Sequence, residues 1–190
     1  MTAPQAQGHE TNHAIYAGDA ADQYLTFMLA TEEYGVEILR VQEIKGWEQT
    51  TPMPNTPEHV LGVINIRGEI VPIIDLRERF GLKRAPHGPM TVVVVVKLVS
   101  DEKERTVGLV VDAVADVYRL DKEQLQPSPE LGDGISSDCI KGLATIDNKM
   151  VLIIDVDELI DFSAITSPAR SPIELAHEFA TQAAPKEKIK

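Results

Sequence analysis

An internal repeat constrains the fold of this chain more than any other feature of the sequence. Residues 62–80, GVINIRGEIVPIIDLRERF, align without gaps on residues 142–160, GLATIDNKMVLIIDVDELI, and seven of the nineteen positions are identical. Each copy is typical of a strand, a tight turn, a second strand and an aspartate, Asp75 or Asp155, that caps one turn of helix. The repeat therefore predicts two similar β units.

A weaker similarity, offset by 73 residues, relates Gly35 and Val41 to Gly108 and Val114. Hairpins built from a few aliphatic residue types can also resemble each other by chance, but here the glycine, the turn and the capping aspartate align together with the strands. We expect two units, approximately residues 23–88 and 89–162, either in tandem or intertwined. A unit of about 65 residues is small for independent stability, so a shared core with an apolar cleft between the units is expected.

The residue types that would fill such a core favour strands. Val and Ile together contribute 35 residues, whereas aromatic residues make up only 5% of the chain. Side chains branched at Cβ pack well on a pleated sheet. Short aliphatic runs separated by turn residues then predict an all-β domain with short helices.

Both ends of the chain differ from this pattern. Residues 1–22 are polar and lack periodicity, which predicts a flexible N-terminal tail. Residues 163–190 are predicted to hold a short helix, because Ser171 and Pro172 form a helix-start signal, and to end in a charged tail. The β domain is therefore placed at residues 23–162.

Charge and cysteine content exclude several classes of function. The net charge of −12 disfavours binding to nucleic acid. Cys139 is the only cysteine, which excludes an intramolecular disulfide and a four-cysteine zinc site. The sequence shows no secretory signal and no apolar run long enough to insert into a membrane, so a cytoplasmic protein is expected.

One pattern suggests an enzyme. Residues 9–13, HETNH, match the H-E-x-x-H zinc motif, so a zinc-dependent hydrolase is the alternative function. The motif lies in an unpatterned polar tail rather than on a buried helix, and we expect adventitious metal binding at most. No glycine-rich phosphate loop is present. The prediction is a protein without catalytic residues, metal or cofactor.

Four segments carry a resemblance to a known family: YGVEILRVQEI at 34–44, TPMPNTP at 51–57, GVINIRG at 62–68 and VPIIDLR at 71–77. In this order they resemble the CheW family of chemotaxis coupling proteins, whose pattern the regulatory domain of the kinase CheA and the adaptor half of CheV share. The resemblance extends over residues 23–161. It implies two SH3-like five-stranded β-barrel subdomains packed together.

The resemblance also implies a function. Proteins of this family are adaptors without enzymatic activity that couple the cytoplasmic hairpin tips of chemoreceptors (methyl-accepting chemotaxis proteins) to the histidine kinase CheA. They act in arrays at the inner membrane, and rings with other CheW copies are compatible with the pattern. Receptor control of kinase autophosphorylation is the expected outcome, with no nucleic acid involved.

Individual positions take roles only through the resemblance. The motifs place receptor or kinase coupling at Val41, Glu43, Ile44, Gly62 and Arg67. They place the seam between the subdomains at Val92, Val114 and Val117, and a kinase-side ring surface at Gln126 and Leu131. The aliphatic residues could equally be core, and Gly62 could serve backbone geometry alone. Arg67 and Glu43 are the better candidates, because charged side chains are rarely kept for packing.

Overall fold

The computed structural model describes residues 23–100, 103–127 and 139–160. The strands of this part of the chain are β1 Gln23–Leu29, β2 Glu32–Glu37, β3 Val41–Gly46, β4 Val60–Ile66, β5 Glu69–Asp75, β6 Val92–Ser100, β7 Lys103–Val111, β8 Ala113–Arg119, β9 Ile140–Ile146 and β10 Lys149–Ile154. One turn of helix, α1, spans Leu76–Arg79, and 3-10 turns span Ile38–Arg40 and Lys122–Gln124. The predicted tail at 1–22 and the predicted helix after 163 lie outside the described residues.

The strands form two five-stranded sheets. The first sheet has the order β8-β1-β2-β10-β9, and the second has the order β3-β6-β7-β5-β4. Neighbouring strands are antiparallel except for β2 with β10 and β5 with β7, which are parallel. The prediction of an all-β fold with two packed five-stranded subdomains is confirmed.

The two repeat units exchange a hairpin. Strands β1–β5 belong to the first unit and β6–β10 to the second, yet β1 and β2 lie in the sheet that contains β8, β9 and β10. Conversely, β6 and β7 lie in the sheet that contains β3, β4 and β5. A boundary near residues 88 and 89 therefore separates the repeat units in sequence but does not separate the sheets. A tandem arrangement does not describe the molecule.

The long repeat forms the same hairpin in both copies. The predicted turn of helix follows only the first hairpin, at Leu76–Arg79, whereas residues 156–158 after Asp155 form a turn rather than a helix. Val63 pairs with Pro72 in the first copy, and Leu143 pairs with Leu152 eighty residues later. The two-residue turns, at 67–68 and 147–148, have positive φ at every position. Positive φ at both central residues is the geometry of a type I′ turn, which matches the twist of the flanking strands. The repeat therefore fixes both hairpins, including their register.

Successive side chains of the middle strands point to opposite faces of each sheet, so the buried residues form three separate hydrophobic cores. In β6, Val93 and Val95 face the inner core of the second sheet, whereas Val94 and Val96 face the central core between the sheets. A strand buried on both faces reads as a continuous aliphatic run, which explains the five valines at 92–96. The first sheet has its own inner core, which contains Tyr24, Leu120, Ala144, Val151 and Ile153. The cleft expected between the units is filled by the central core.

A test of the tight parallel pairing is the substitution Gly108→Ala. A Cβ at this position would lie 2.5 Å from Cδ1 of Ile73 and 2.7 Å from Cγ1 of Val93, both buried. Overpacking of this kind costs about 1–3 kcal/mol, so we expect a lower urea midpoint. The control is Gly46→Ala, whose added Cβ would meet no atom within 4 Å. Equal midpoints for the two variants would contradict the packing described above.

Candidate interaction surface

Strand β3 is an edge strand of the second sheet, and an irregularity in its pairing separates two predicted site residues. Val41 pairs with Val96, but Glu43 pairs with Val95, so the register shifts between them. Directly opposite residues lie on the same face of a sheet. Val41 therefore turns toward the central core with Val96, and Glu43 turns toward the inner side of the second sheet with Val95.

Arg67 lies at the tip of the β4–β5 hairpin. Its φ is 54° and that of Gly68 is 91°, and Oδ1 of Asn65 accepts a hydrogen bond from the Gly68 N–H at 2.8 Å. This turn directs the Arg67 guanidinium to Glu43, with 2.5 Å between Nη2 and Oε2. The Arg67 side chain is 84% exposed, whereas that of Glu43 is 23% exposed. The ion pair therefore joins a guanidinium that is mostly exposed to solvent with a carboxylate that is mostly buried.

The Glu43–Arg67 ion pair joins the two edges of one sheet, because β3 and the β4–β5 hairpin lie at opposite ends of the strand order. Thr51, just after β3, makes two backbone hydrogen bonds of 2.9 Å with Val63 of β4 and joins the same edges. The second sheet is therefore curled, with its edges facing each other. Exposed ion pairs contribute about 0–1 kcal/mol, so the backbone bridge stabilises this arrangement more than the charges do.

An open depression of about 230 Å³ adjoins this ion pair. It is lined by Gln42, Glu43, Ile66, Arg67, Glu69, Val71, Val95 and Thr106. Val71 and Val95 are buried and form an apolar floor, while the charged residues form the rim. We call the depression together with its Glu43–Arg67 rim the rim surface. Its shape and mixed polarity suit a protein side chain better than a large cofactor.

Gly62 is a structural residue of the same region. Its φ is 133°, and a Cβ there would overlap the carbonyl oxygen of Thr51 and lie 2.7 Å from the carbonyl carbon. Only glycine permits both this backbone conformation and this close approach. Backbone geometry therefore accounts for a glycine at position 62, and a coupling role for Gly62 stays a prediction.

The predicted aliphatic site residues differ in exposure. Val41, Val92 and Val114 are partly buried and pack against the central core. Ile44 and Val117, which are equivalent in the weaker repeat, are 44% and 45% exposed. Ile44 and Val117 thus present apolar surface that a partner can cover. The assignment of these five residues to coupling or to the seam stays a prediction.

Gln126 joins the edges of the first sheet, as Thr51 does those of the second. Its backbone makes two hydrogen bonds of 2.8 Å with Leu143, and the residue itself is exposed. Leu131 lies outside the described residues. A kinase-side role for Gln126 and Leu131 stays a prediction.

Sequence reasoning missed two ion pairs that lie where the chain passes between the sheets. Arg77 donates from Nε and Nη2 to Asp112 at 2.6 Å and 2.5 Å, and Arg40 donates to Asp157 at 2.6 Å. Burial by itself would raise the pKa of Asp112, but hydrogen bonds from Arg77 and from the Ala30 N–H lower it. The hydrogen bond to Asp112 raises the pKa of Arg77. One signal was present, since Arg77 and Asp157 occupy equivalent positions of the repeat.

In residues 23–100, 103–127 and 139–160, no group of three or more His, Cys, Asp or Glu side chains is placed to hold a metal ion. No helix within these ranges is both long enough and apolar enough to span a membrane. The HETNH motif at 9–13 lies outside them.

Two curled sheets around three cores, with charged and half-exposed aliphatic side chains on their outer surfaces, define an all-β interaction module. The family model of the CheW-like domain matches residues 23–164. The chain therefore belongs to the CheW family, whose members are adaptor and scaffolding proteins of chemotaxis rather than enzymes. The predictions of the family and of a non-enzymatic protein are confirmed.

Relatives from several bacteria support this assignment. The chain is 41% identical over 145 residues to chemotaxis protein CheW of Klebsiella aerogenes, covering 76% of this chain and 85% of that protein. It is 34% identical to chemotaxis protein CheW of Rhizobium meliloti over 78% of this chain and 94% of that protein. The crystal structure of the scaffolding protein TtCheW from Thermoanaerobacter tengcongensis superposes with a TM-score of 0.67 at 32% identity, covering 82% of this chain and 94% of that one.

Proposed function

We propose that this protein couples chemoreceptors to the histidine kinase CheA, so that the state of the receptor controls kinase autophosphorylation. Membership of a chemotaxis adaptor family supports the proposal. The single observation that carries the site is the Arg67 side chain, an exposed guanidinium anchored by Glu43 on the rim surface. A planar guanidinium with free donors is well suited to bind carboxylates and carbonyl groups of a partner protein.

An adaptor requires two binding surfaces at a fixed distance and angle. The central core supplies the rigidity, because side chains of both sheets pack into it and the close-packed interior resists deformation. On this proposal, the rim surface and Ile44 contact one partner, and the exposed surface near Gln126 on the other sheet contacts a second. Receptor tips, the regulatory domain of CheA and further CheW copies are the proposed partners, and their binding would place the protein in arrays at the inner membrane.

Contacts of this kind need not be strong individually. Interfaces of about 800 Å² or less per partner give modest affinity when they stand alone. In an array, each contact raises the effective concentration for the next, so the assembly holds together through multivalency. On this proposal, a small adaptor can work through shallow contact surfaces. The zinc-dependent hydrolase finds no support, since the family consists of adaptors and the described residues offer no metal site.

Reconstitution tests the proposal. The full chain is mixed with CheA and a chemoreceptor cytoplasmic fragment, and phosphate incorporation into CheA is measured. We expect severalfold activation only when all three components are present, and no activation when this protein is omitted. The coupling role would be refuted if phosphate incorporation into CheA were the same with and without this protein for every receptor fragment from the same genome.

A further inference from the structure

Exchange of hairpins raises a problem of specificity within one chain, because the two units offer nearly equivalent partners. Gly35 of β2 lies opposite Ile153 of β10, and Gly108 of β7 lies opposite Ile73 of β5. A Cβ at either glycine would collide with Cδ1 of the isoleucine opposite, so both pairs form the same close contact. If each hairpin paired within its own unit, Gly35 would meet Ile73 and Gly108 would meet Ile153, so the same residue types would be in contact. The glycine–isoleucine contacts alone therefore do not distinguish the two arrangements.

Charged residues mark both points where the chain changes sheets. Arg40 ends the 3-10 turn that leads from β2 in the first sheet to β3 in the second. Asp112 lies between β7 of the second sheet and β8 of the first. Both residues thus lie where the chain changes sheets, although the offset of 73 relates Arg40 to Ala113 rather than to Asp112, and their charges have opposite signs.

The partners of these residues also correspond, again with opposite signs. Arg77 and Asp157 are eighty residues apart, each two residues after the aspartate that ends its hairpin, Asp75 or Asp155. The backbone N–H of each donates to Oδ1 of that preceding aspartate, so both segments begin with the same hydrogen-bonded turn. The two ion pairs therefore occupy comparable places at the two crossings, with one partner of each related by the repeat, and they are reversed in polarity.

We propose that this reversed polarity selects the exchanged arrangement of hairpins. As the protein folds, Arg40 meets Asp157 and Asp112 meets Arg77, which gives two attractions. If each hairpin stayed with its own unit, Arg40 would face Arg77 and Asp112 would face Asp157, which gives two repulsions. Placing like charges against the competing structure is a common means of specifying one fold over another.

The surroundings of the ion pairs strengthen the discrimination. All four side chains are less than a third exposed, so water screens their charges less than it screens those of an exposed pair. Each carboxylate also accepts a backbone hydrogen bond from the opposite sheet, Asp112 from the Ala30 N–H and Asp157 from the Val99 N–H. Each aspartate thus joins its ion pair to a hairpin of the other sheet. This inference does not depend on the coupling function.

Disulfide cross-links between introduced cysteines can show whether the hairpins are exchanged or stay within their own units. The pairing of Glu33 with Val151 places residues 32 and 150 side by side, and both are exposed. With hairpins kept in their own units, residue 32 would instead lie beside residue 70, the equivalent of residue 150, which is also exposed. One reporter chain carries Glu32→Cys with Met150→Cys, and the other carries Glu32→Cys with Ile70→Cys. The native Cys139 is fully buried and does not compete in the folded protein.

Three charge variants test the selection in both reporter chains. Arg77→Asp with Asp157→Arg, and separately Arg40→Asp with Asp112→Arg, turn both native attractions into repulsions. The variant with all four substitutions restores two attractions with inverted signs. All three have the amino-acid composition and net charge of the parent, so differences among them report where the charges lie.

After refolding and mild oxidation, the parent should give only the 32–150 cross-link. We expect either double variant to lose this product, through appearance of the 32–70 cross-link or through failure to fold, and the fourfold variant to recover it. Exclusive 32–150 cross-linking in the double variants, with an unchanged urea midpoint, would overturn the proposal. Equal impairment of the fourfold and double variants would also overturn it, because residue identity rather than polarity would then be decisive.

Discussion

Gly62→Ala should lower the free energy of unfolding by about 4 kcal/mol, a large loss for a single substitution. Two effects add. The φ of 133° is strained for a residue with a Cβ, which costs about 1–3 kcal/mol. The added Cβ would also overlap backbone atoms of Thr51, which are held by the two hydrogen bonds to Val63. Relieving the overlap would break the bridge between the edges of the second sheet.

Urea denaturation followed by circular dichroism measures this loss, and Gly68→Ala is the matched control. The φ of Gly68 is 91°, but no atom lies within 4 Å of the position its Cβ would take. The control therefore contains the backbone strain without the overlap, and we expect a loss of about 1 kcal/mol. If both variants lost the same stability, the close approach to Thr51 would have no energetic effect.

Kinase activation measured with the same variant separates two roles for Gly62. If the glycine serves backbone geometry, kinase activation by Gly62→Ala should fall in proportion to the fraction of protein that remains folded. Activation per folded molecule would then match that of the parent. A folded variant that fails to activate the kinase would instead assign Gly62 to a partner contact.

Local features of this fold could be predicted from sequence, because they depend on neighbouring residues. The repeat identified both hairpins, and Asp75 caps a turn of helix as predicted by accepting from the Arg77 and Glu78 backbone N–H groups. The same prediction is wrong for Asp155, which accepts from the Asp157 N–H but is followed by a turn rather than a helix. Pro72 has no backbone N–H, which by itself favours a sheet edge or a bulge. It lies in the interior strand β5, but the parallel pairing with β7 begins only at Ile73, so the missing N–H removes no bond of that ladder.

The exchange of hairpins could not be derived from the repeat itself. The similarity between Gly35 and Gly108 predicts that both glycines allow the same close contact with an isoleucine, but it does not predict which isoleucine each one contacts. The observed partner of Gly35 is Ile153, 118 positions away, rather than Ile73. The charges that distinguish the arrangements are equally distant in sequence, since Arg40 and Asp157 are separated by 117 positions. Short-range patterns carry no information about such pairing.

The candidate site could be predicted only in part, because its contacts also join residues that are distant in sequence. Arg67 and Glu43 stood out as charged residues within motifs, but their mutual contact spans 24 positions and depends on the curl of the second sheet. The aliphatic candidates could not be sorted by sequence, because Val41 and Ile44 look alike and yet differ in burial. With the register shift in β3, Val41 and Ile44 lie opposite Val96 and Val94 and share one face of the sheet, so their difference in burial depends on tertiary packing that the sequence does not show.

Arg67→Glu should abolish most kinase activation while leaving the fold intact. The substitution places a carboxylate beside Glu43, but both groups can move apart into solvent, so a loss of stability below about 1 kcal/mol is expected. Binding should respond far more strongly, because loss of one partner of a charge pair within an interface costs about 2–5 kcal/mol. That corresponds to a fall in affinity of more than about tenfold.

Receptor pull-down and phosphate incorporation into CheA measure this effect, with Arg84→Glu as the control. Arg84 is also an exposed arginine in an ion pair, with Glu78, but it does not line the rim surface. Because Arg84 lies outside the rim surface, we expect the control to bind and activate like the parent. The two reversals change the net charge equally, so a difference between them reports the position of the charge.

The charge-swapped variant, Arg67→Glu with Glu43→Arg, distinguishes two ways in which Arg67 could act. If the ion pair serves only to join the sheet edges, the swap restores it and activation recovers. If the exposed guanidinium contacts a partner directly, the swap restores the edge contact but presents the wrong charge, and activation stays low. We expect the second result, because 84% exposure leaves most of the Arg67 side chain available to a partner. Intact pull-down and intact activation by Arg67→Glu would show that the coupling site lies elsewhere on the molecule, with membership of the family unaffected.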